Sequence, residues 1–484
     1  MGERFNEPVH QGRITRRSVL TGMGAMGAAA FLAACGSDKK STSTTAAPTT
    51  AAGAATTAAG GSTATTTAGS SAGTSAGTSA GTGGGATGDV GTQLAKLLAI
   101  DSATSGKGLT LDMGAVLALT GTGSFYGKTM TRGLDLAAKH IEAAGGPKFN
   151  YIYLDHKSGD AAAGQSAITE LAAKGVHSKF ASYVDDLGAM LKGTADNKIF
   201  TLDGGGGTSI FGQGQPYFWG TRAITPNDPL PGLFKYLKEA NPTAKTVGLV
   251  GWDIGDPYNG QVKADILAKI TAGGYTHNGL YELVTVGNQD FSQVLPKIKA
   301  NEPDILLVSN YGQDPGSFAN QASTADLKCI RIGFEFTPDG VSASKGTYDS
   351  DGYTFAYDYF DPGNPVSPLA KIFVEEFKKE YGGDDPDFYA ANFYENALVM
   401  WEVIRRVLKS GGDPKDGDAL EKALETNLTV VSVYGGDAST VGTYTLDPKT
   451  HSVTKRGMGV FEYKSGKVTP KAFFGIDGVD YKKA

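Results

Sequence analysis

The sequence has few of the residues from which catalytic and metal sites are most often built. It contains two cysteines and six histidines among 484 residues, and the histidines lack the short spacings of metal ligands. A glycine-rich run at 203–209 lacks the lysine of a phosphate-binding loop, and no Gly-x-Gly-x-x-Gly follows the first apolar strand. The Gly-x-Ser-x-Gly pattern of a nucleophile elbow is absent from residues 107–484 and occurs only within the low-complexity stretch at 69–81. We therefore expect no enzyme activity, no metal and no cofactor.

Clusters of basic residues are missing as well. The formal charge is -6, and it becomes -8 when residues 1–34, which carry four arginines and two glutamates, are left out. An acidic chain without a basic cluster argues against nucleic acid as a partner.

The first 35 residues have the pattern of an export signal. Residues 15–20 read TRRSVL, a small apolar stretch follows from 22 to 34, and LAAC ends it at Cys35. This resembles a twin-arginine signal closed by a bacterial lipobox, which implies a lipid on Cys35 and an extracytoplasmic location at the cell membrane. The apolar stretch is too short and too rich in Gly and Ala to span a bilayer well. Cys329 is then left without a disulfide partner, and we expect it in the core.

The rest of the chain divides into a linker and a folded part. Residues 36–106 are largely Ala, Thr, Gly and Ser, and we expect a flexible linker because such a segment buries too little apolar surface to fold. From residue 107 the composition is that of a folded protein, with more length than one compact core usually takes.

Apolar runs alternate with amphipathic stretches in two sets. The runs lie at 111–119, 151–154, 180–184 and 198–201 in the first set and at 246–250, 281–286 and 305–308 in the second. This alternation predicts an α/β protein with parallel sheets. A later helix is expected at 392–408, and short strands near 444–448 and 459–463 indicate that the chain crosses between two lobes more than once.

Four consecutive glycines follow the apolar run at 198–201. In an open parallel sheet, ligands bind beyond the carboxyl ends of the strands, where bare backbone allows close approach. The residues alone favour this binding loop and an ordinary surface turn equally, because glycine clusters are common in turns.

A family resemblance rests on residues 119–127, LTGTGSFYG, and on the helix that ends with IEAAGG at 141–146. From Leu109 onward the chain resembles a type I periplasmic binding protein of the leucine/isoleucine/valine-binding class, the extracytoplasmic receptor of an ABC importer. The resemblance implies two Rossmann-like lobes, joined by a three-crossover hinge, that close on a ligand as a Venus flytrap. We place lobe 1 at 107–223 plus 359–454, lobe 2 at 224–358 plus 455–476, and a tail at 477–484.

The resemblance also implies partners and site residues. The partners are a small-molecule ligand and the ABC permease and ATPase subunits, with the receptor itself a monomer. Thr208 falls on the carboxylate-binding threonine of the family, beside the backbone of Gly206 and Gly207, and Glu335 falls on the glutamate that binds the ligand ammonium. The tyrosines at family positions are Tyr258 and Tyr311 on lobe 2 and, along the side-chain pocket, Tyr126, Tyr183 and Tyr389. With these matches the binding-loop interpretation of the glycine run becomes the favoured one.

One position departs from the family pattern. Counting back from Thr208 without a gap, Asp185 replaces a carboxylate-binding serine, and a carboxylate there would repel a ligand carboxylate. Three explanations stay open: Asp185 points away, the ligand is an amide, amine or polyol instead of an ordinary amino acid, or the alignment is offset by one or two residues. A ligand sensor that feeds a signalling partner is the alternative function, and an enzyme of the same architecture is a further one.

Overall fold

The computed structural model describes residues 89–182, 184–204, 215–223, 225–434 and 442–484, without the side chains of residues 184–187 and Tyr444. Within these ranges, the helices are α1 (Val90–Leu97), α2 (Ser124–Ala143), α3 (Ala161–Ala173), α4 (Val184–Asp196), α5 (Leu230–Ala240), α6 (Tyr258–Ala272), α7 (Leu295–Ala300), α8 (Asp314–Thr324), α9 (Pro338–Ala343), α10 (Thr347–Asp351), α11 (Pro368–Glu380), α12 (Phe388–Lys409) and α13 (Gly417–Lys422). The strands are β1 (Thr110–Leu117), β2 (Lys148–Asp155), β3 (Ser178–Ala181), β4 (Phe200–Asp203), β5 (Phe218–Gly220), β6 (Thr246–Trp252), β7 (Thr276–Val284), β8 (Ile305–Ser309), β9 (Ile330–Gly333), β10 (Tyr353–Asp358), β11 (Leu428–Val431), β12 (Thr443–Asp447), β13 (Ser452–Lys455), β14 (Gly457–Lys464), β15 (Lys467–Gly475) and β16 (Lys482–Lys483).

These strands form two eight-stranded sheets. The order is β11-β12-β13-β5-β4-β3-β1-β2 in the first sheet and β16-β15-β14-β10-β9-β8-β6-β7 in the second. The five strands β1 to β5 run parallel, as do β6 to β10, whereas the C-terminal strands add antiparallel pairs. The predicted two-lobed α/β fold is confirmed, with sheets that are mixed where parallel ones were expected.

The chain passes between the sheets three times. It leaves the first sheet after β5, returns after β10, and crosses again between β13 and β14. We call the part built on the first sheet lobe 1 and the part built on the second sheet lobe 2. The strands of lobe 1 lie within 110–220 and 428–455, and those of lobe 2 lie within 246–358 and 457–483.

A buried network of charges joins the three crossovers, and we call it the hinge network. Arg222 lies in the first crossover, Asp358 ends β10 at the second, and Arg456 is the single residue between β13 and β14. Arg222 Nε donates to Asp358 Oδ2 at 3.2 Å, and Arg456 Nε donates to Asp358 Oδ1. Arg456 Nη1 also donates to Glu395 Oε1 of α12 at 2.9 Å. Two arginines and two carboxylates therefore balance their charges in an almost solvent-free hinge.

The two ends of the folded part differ from the sequence prediction. The linker was expected to reach residue 106, but α1 packs on α2, with Leu94 fully buried. Val90, Leu94 and Leu97 have helical spacing, which supplied the apolar face. The tail expected at 477–484 contributes β16, which pairs with β15 through Lys482 and Lys483.

Other element boundaries moved by a few residues. The third strand was expected at 180–184, but β3 ends at Ala181 and Val184 already begins α4. The strand expected at 198–201 lies at Phe200–Asp203. Cys329 is buried as predicted, and burial raises the pKa of its thiol to about 12. In the described ranges, no helix combines the length and apolarity needed to cross a membrane.

Candidate functional site

The candidate site is a cleft between the two lobes, where the loops that follow the parallel strands of each sheet face one another. Lobe 1 contributes the loop after β1 with the start of α2, and also the start of α12. Lobe 2 contributes the loops after β6, β7, β8 and β9. This is the edge at which open parallel sheets bind ligands.

Glu335 is the centre of the cleft. It follows β9 and its side chain is buried, with 3% of the residue exposed. The hydroxyl of Tyr126 on α2 donates to both carboxylate oxygens at 2.6 Å, the hydroxyl of Tyr389 on α12 donates to Oε1, and the backbone N–H of Gly312 donates to Oε2. A carboxylate of lobe 2 thus receives two hydroxyl donors from lobe 1. The structure brings together three predicted site residues, Tyr126, Glu335 and Tyr389.

Burial raises the pKa of the Glu335 carboxyl above its ordinary value, while its hydrogen bonds and the nearby Arg222 guanidinium oppose that rise. The rings of Tyr126 and Tyr389 meet edge to face, with centroids 4.8 Å apart. The guanidinium of Arg222 lies over the Tyr389 ring, with Cζ 5.6 Å from the ring centroid. An added positive group beside Glu335 would favour the ionised carboxylate, which is what the ammonium of a ligand supplies.

The loop after β4 begins at the hinge side of the cleft. The carbonyl of Gly204 accepts a hydrogen bond from Asn392 Nδ2 at 2.5 Å, and Asn392 Oδ1 accepts one from Arg456 Nη2 at 3.3 Å. A β-carbon on Gly204 would lie 2.6 Å from Asn392 Nδ2, so this first glycine of the run is needed for the close approach of α12. The predicted residues Gly206, Gly207 and Thr208 lie outside the described residues.

Ser182 is a site candidate that the sequence prediction missed. It follows the last residue of β3, Ala181, whose carbonyl accepts a hydrogen bond from the N–H of Gly204. The Ser182 hydroxyl is fully buried and has no hydrogen-bond partner among the residues that the structure describes. It therefore lies next to the start of the glycine run, at the end of the neighbouring strand. The sequence signal for Ser182 is its place directly after β3, and it was missed because the end of that strand was predicted too late.

Asp185 and Tyr183 were also predicted as site residues. Asp185 lies in the first turn of α4, and its side chain is outside the described residues, as is the whole of Tyr183.

Two further predicted tyrosines lie on lobe 2. The hydroxyl of Tyr311 donates to the carbonyl of Thr225 at 2.7 Å, so its ring is fixed at the cleft wall. Tyr258 begins α6 and reaches across toward α4, since a β-carbon on Gly188 would lie 3.7 Å from its Cε2. The hydroxyls that contact Glu335 are those of Tyr126 and Tyr389, whereas the Tyr311 hydroxyl is held by Thr225.

A cavity of about 40 Å³ lies between the lobes, on the side of the cleft away from the hinge. Its walls include Tyr126 of lobe 1 and Trp252, Tyr311, Gly312 and Asp314 of lobe 2. Trp252 and Asp314 were not predicted as site residues. The sequence signals for them were the last position of the strand that becomes β6 and the Asp-Pro pair that opens α8.

Comparison with known proteins agrees with this architecture. A family model described as periplasmic binding protein matches residues 110–467. A Leu/Ile/Val-binding protein homologue of Brucella abortus is 22% identical over 340 residues, which cover 64% of this chain and 80% of that protein.

Solved structures give the same fold. A solute-binding protein of an ABC transporter from R. palustris, in complex with benzoate, has a TM-score of 0.63 at 19% identity and covers 78% of this chain and 98% of its own. The branched-chain amino acid binding protein LivJ of Streptococcus pneumoniae, in complex with isoleucine, has a TM-score of 0.61 at 20% identity and covers 76% and 99%.

The family model spans most of the folded part, and the solved structures share the two-lobed α/β fold. This chain therefore belongs to the periplasmic binding proteins, as a type I member of the leucine/isoleucine/valine-binding class.

Proposed function

We propose that this protein is the extracytoplasmic receptor of an ABC importer and binds a small solute with an amino group between its lobes. The observation that carries this proposal is Glu335, a buried carboxylate of lobe 2 that meets hydroxyl donors of lobe 1. A buried carboxylate is costly without charge compensation. The ammonium of an amino acid or related amine would supply that compensation and would join both lobes through one ligand.

Ser182 and the glycine run complete the proposal at the opposite end of the ligand. A buried hydroxyl without a partner is expected to find one in the functional state. We assign it, with Thr208 and the backbone at Gly206 and Gly207, to the carboxylate of the solute. Ser182 then takes the role for which the family has a serine, and Asp185 need not contact the ligand.

The relatives suggest two ligand classes, because their structures hold isoleucine in one case and benzoate in another. Benzoate has no ammonium, so its binding would not use the charge of Glu335. The two buried carboxylates on lobe 2, Glu335 and Asp314, favour a solute with an amino group over a purely anionic one.

A calorimetric titration of the full chain with branched amino acids, amines, amides and benzoate tests the assignment. We expect an amino acid to bind and Glu335→Gln to weaken its binding about 10- to 100-fold, since a charged hydrogen bond is lost. Glu282→Gln, at a half-buried surface ion pair with Lys297 of the same lobe, is the matched control and should bind as the parent does. Benzoate binding that Glu335→Gln leaves unchanged, with no amino acid binding, would overturn the proposal.

The importer role and the lipid anchor need separate tests. Cells without the chain should lose uptake of the identified solute, whereas normal uptake would favour a sensor. The motif at Cys35 supports a lipid anchor on the outer face of the cell membrane. Incorporation of labelled palmitate into the parent chain and its loss in Cys35→Ser would support the anchor, and equal labelling would contradict it.

A further inference from the structure

The cavity between the lobes has an aromatic wall. Trp252 ends β6 and Tyr311 follows β8, and their rings meet edge to face with centroids 5.1 Å apart. Trp252 is half-buried, while the other two tryptophans, Trp219 and Trp401, are buried in the core of lobe 1. The Tyr311 hydroxyl is committed to the Thr225 carbonyl. The cavity is therefore lined by ring surface and not by a free phenol donor.

A buried carboxylate lies at the edge of the Trp252 ring. Asp314 is the first residue of α8 and only 1% exposed, and its Oδ2 accepts the indole N–H of Trp252 at 2.6 Å. Gln289 Nε2 donates to the other oxygen. These bonds fix the indole plane, so Asp314 acts as a positioning residue for Trp252. Its negative charge at the ring edge also strengthens the negative potential of the ring face.

The remaining walls supply no compensating positive charge. None of the described residues that line the cavity is a lysine, arginine or histidine. The cavity has several times the roughly 10–15 Å³ that one water needs, so it has room for the end of a side chain. An anionic group would be repelled there and a cation attracted.

The cavity is continuous with the centre of the cleft. The N–H of Gly312 donates to Glu335, and Gly312 and Tyr126 also line the cavity. Asp314 is two residues after Gly312 in the same loop, so the α-carbons of Gly312 and Asp314 are at most about 7 Å apart. One short solute can therefore reach Glu335 with one end and the Trp252 face with the other.

We propose that the cavity formed by Trp252, Tyr311 and Asp314 receives a second positive group, which makes basic amino acids and diamines the substrate class. This inference rests on the proposed function, which places the α-ammonium on Glu335. The second cation lies against the indole face, where the ring quadrupole and the charge of Asp314 attract it together.

L-Lysine and L-norleucine provide the sharpest comparison, because their side chains differ only by the terminal ammonium. Calorimetric titration of the full chain should give a dissociation constant at least tenfold lower for lysine. L-Glutamate, with an anionic end, should bind more weakly than norleucine.

Two variants locate the effect. Asp314→Asn removes the charge and keeps the shape, and Trp252→Leu removes the ring; each should raise the dissociation constant for lysine at least tenfold more than that for norleucine. Asp326→Asn, an exposed carboxylate elsewhere on lobe 2, should change neither. Circular dichroism of each variant checks folding, and the two variants change different parts of the cavity.

The outcomes separate this inference from the proposed function. Norleucine binding that depends on Glu335, with no advantage for lysine, would overturn the inference alone. A lysine advantage that survives both variants would also overturn it. Failure of every amino acid and diamine to bind would overturn the proposed function as well.

Discussion

Asp314 and Glu335 are two buried carboxylates of one lobe, and each charge raises the proton affinity of the other. Burial raises the pKa of Asp314 to about 7, with the charge of Glu335 adding to the rise and the N–H groups of Trp252, Gly287 and Asn288 opposing it. For Glu335 burial is again the main cause of a raised pKa. Both groups therefore titrate at higher pH than exposed carboxylates do.

Lysine binding should depend on pH through Asp314. Below about pH 7 the carboxyl holds a proton that a bound cation must displace, so the dissociation constant should rise by up to about tenfold per pH unit as the pH falls. Glu335 and the phenols of Tyr126 and Tyr311 are the other titratable groups near this site, and all three face lysine and norleucine alike. The measured quantity is the dissociation constant for norleucine divided by that for lysine, followed between about pH 8 and pH 6.

The ratio removes the contribution of Glu335, because both ligands carry the same α-ammonium. It should shrink toward acid in the parent chain and stay flat in Asp314→Asn. A ratio that is independent of pH in the parent would contradict the assignment of the second ammonium to Asp314.

At the scale of elements, α2 and α12 carry the two tyrosines that meet Glu335, and they pack at close range. A β-carbon on Gly133 of α2 would lie 2.2 Å from the carbonyl oxygen of Ala390 on α12. Gly260 of α6, in contrast, has open space where its β-carbon would be. The same substitution should therefore have opposite effects in the two helices.

Gly133→Ala should lower the free energy of unfolding by about 1–3 kcal/mol, because overpacking forces the helices apart. Gly260→Ala should raise it by up to about 1 kcal/mol, because alanine favours the helix. Urea unfolding of both variants measures the difference. Equal urea midpoints for the two variants would contradict the prediction, because they would mean that α2 and α12 accommodate the added methyl group without loss of stability.

The sequence predicted the presence of most helices and strands, but it predicted their ends less accurately. Buried parallel strands such as β8, and β1 from Met113 onward, are continuous apolar runs, which single them out. The end of β3 was misplaced because Tyr183 and Val184 continue the apolar pattern, although Val184 already belongs to α4. That shift of a few residues hid Ser182 and drew attention to Asp185.

Contacts between residues far apart in the sequence could not be predicted from local sequence patterns. Trp252 and Asp314 are 62 residues apart, and nothing local to either indicates the other. Glu335 was found through the family resemblance and not through its own surroundings. The hinge network was missed because charged residues are ordinarily expected at the surface, and only the fold shows four of them buried together.

For the whole molecule, the hinge network makes one carboxylate critical. Asp358 lies between Arg222 and Arg456, and its side chain is fully buried. Asp358→Asn would leave two buried guanidinium groups with Glu395 as their remaining carboxylate in the network. We expect the free energy of unfolding to fall by about 3–5 kcal/mol, the cost of breaking a buried ion pair.

Asp384→Asn is the matched control, since it breaks the exposed ion pair with Arg132 on lobe 1 and should cost about 1 kcal/mol or less. Urea unfolding monitored by circular dichroism compares the two variants. Similar losses for both would mean that the buried network contributes no more than a surface pair.

The single-residue crossover at Arg456 limits how the lobes can separate. Lys455 ends one sheet and Gly457 begins the other, so their α-carbons stay within about 7 Å of each other in every state. The lobes can turn about this point but cannot slide apart. The loops after β1 and β6 lie four strands, or about 19 Å, from β13 and β14, the two strands that this crossover joins. A turn of a few degrees therefore moves the Trp252 wall, at the end of β6, farther than Glu335, which follows the nearer strand β9. In the proposed receptor, opening would thus release the distal end of the solute before the end held by Glu335.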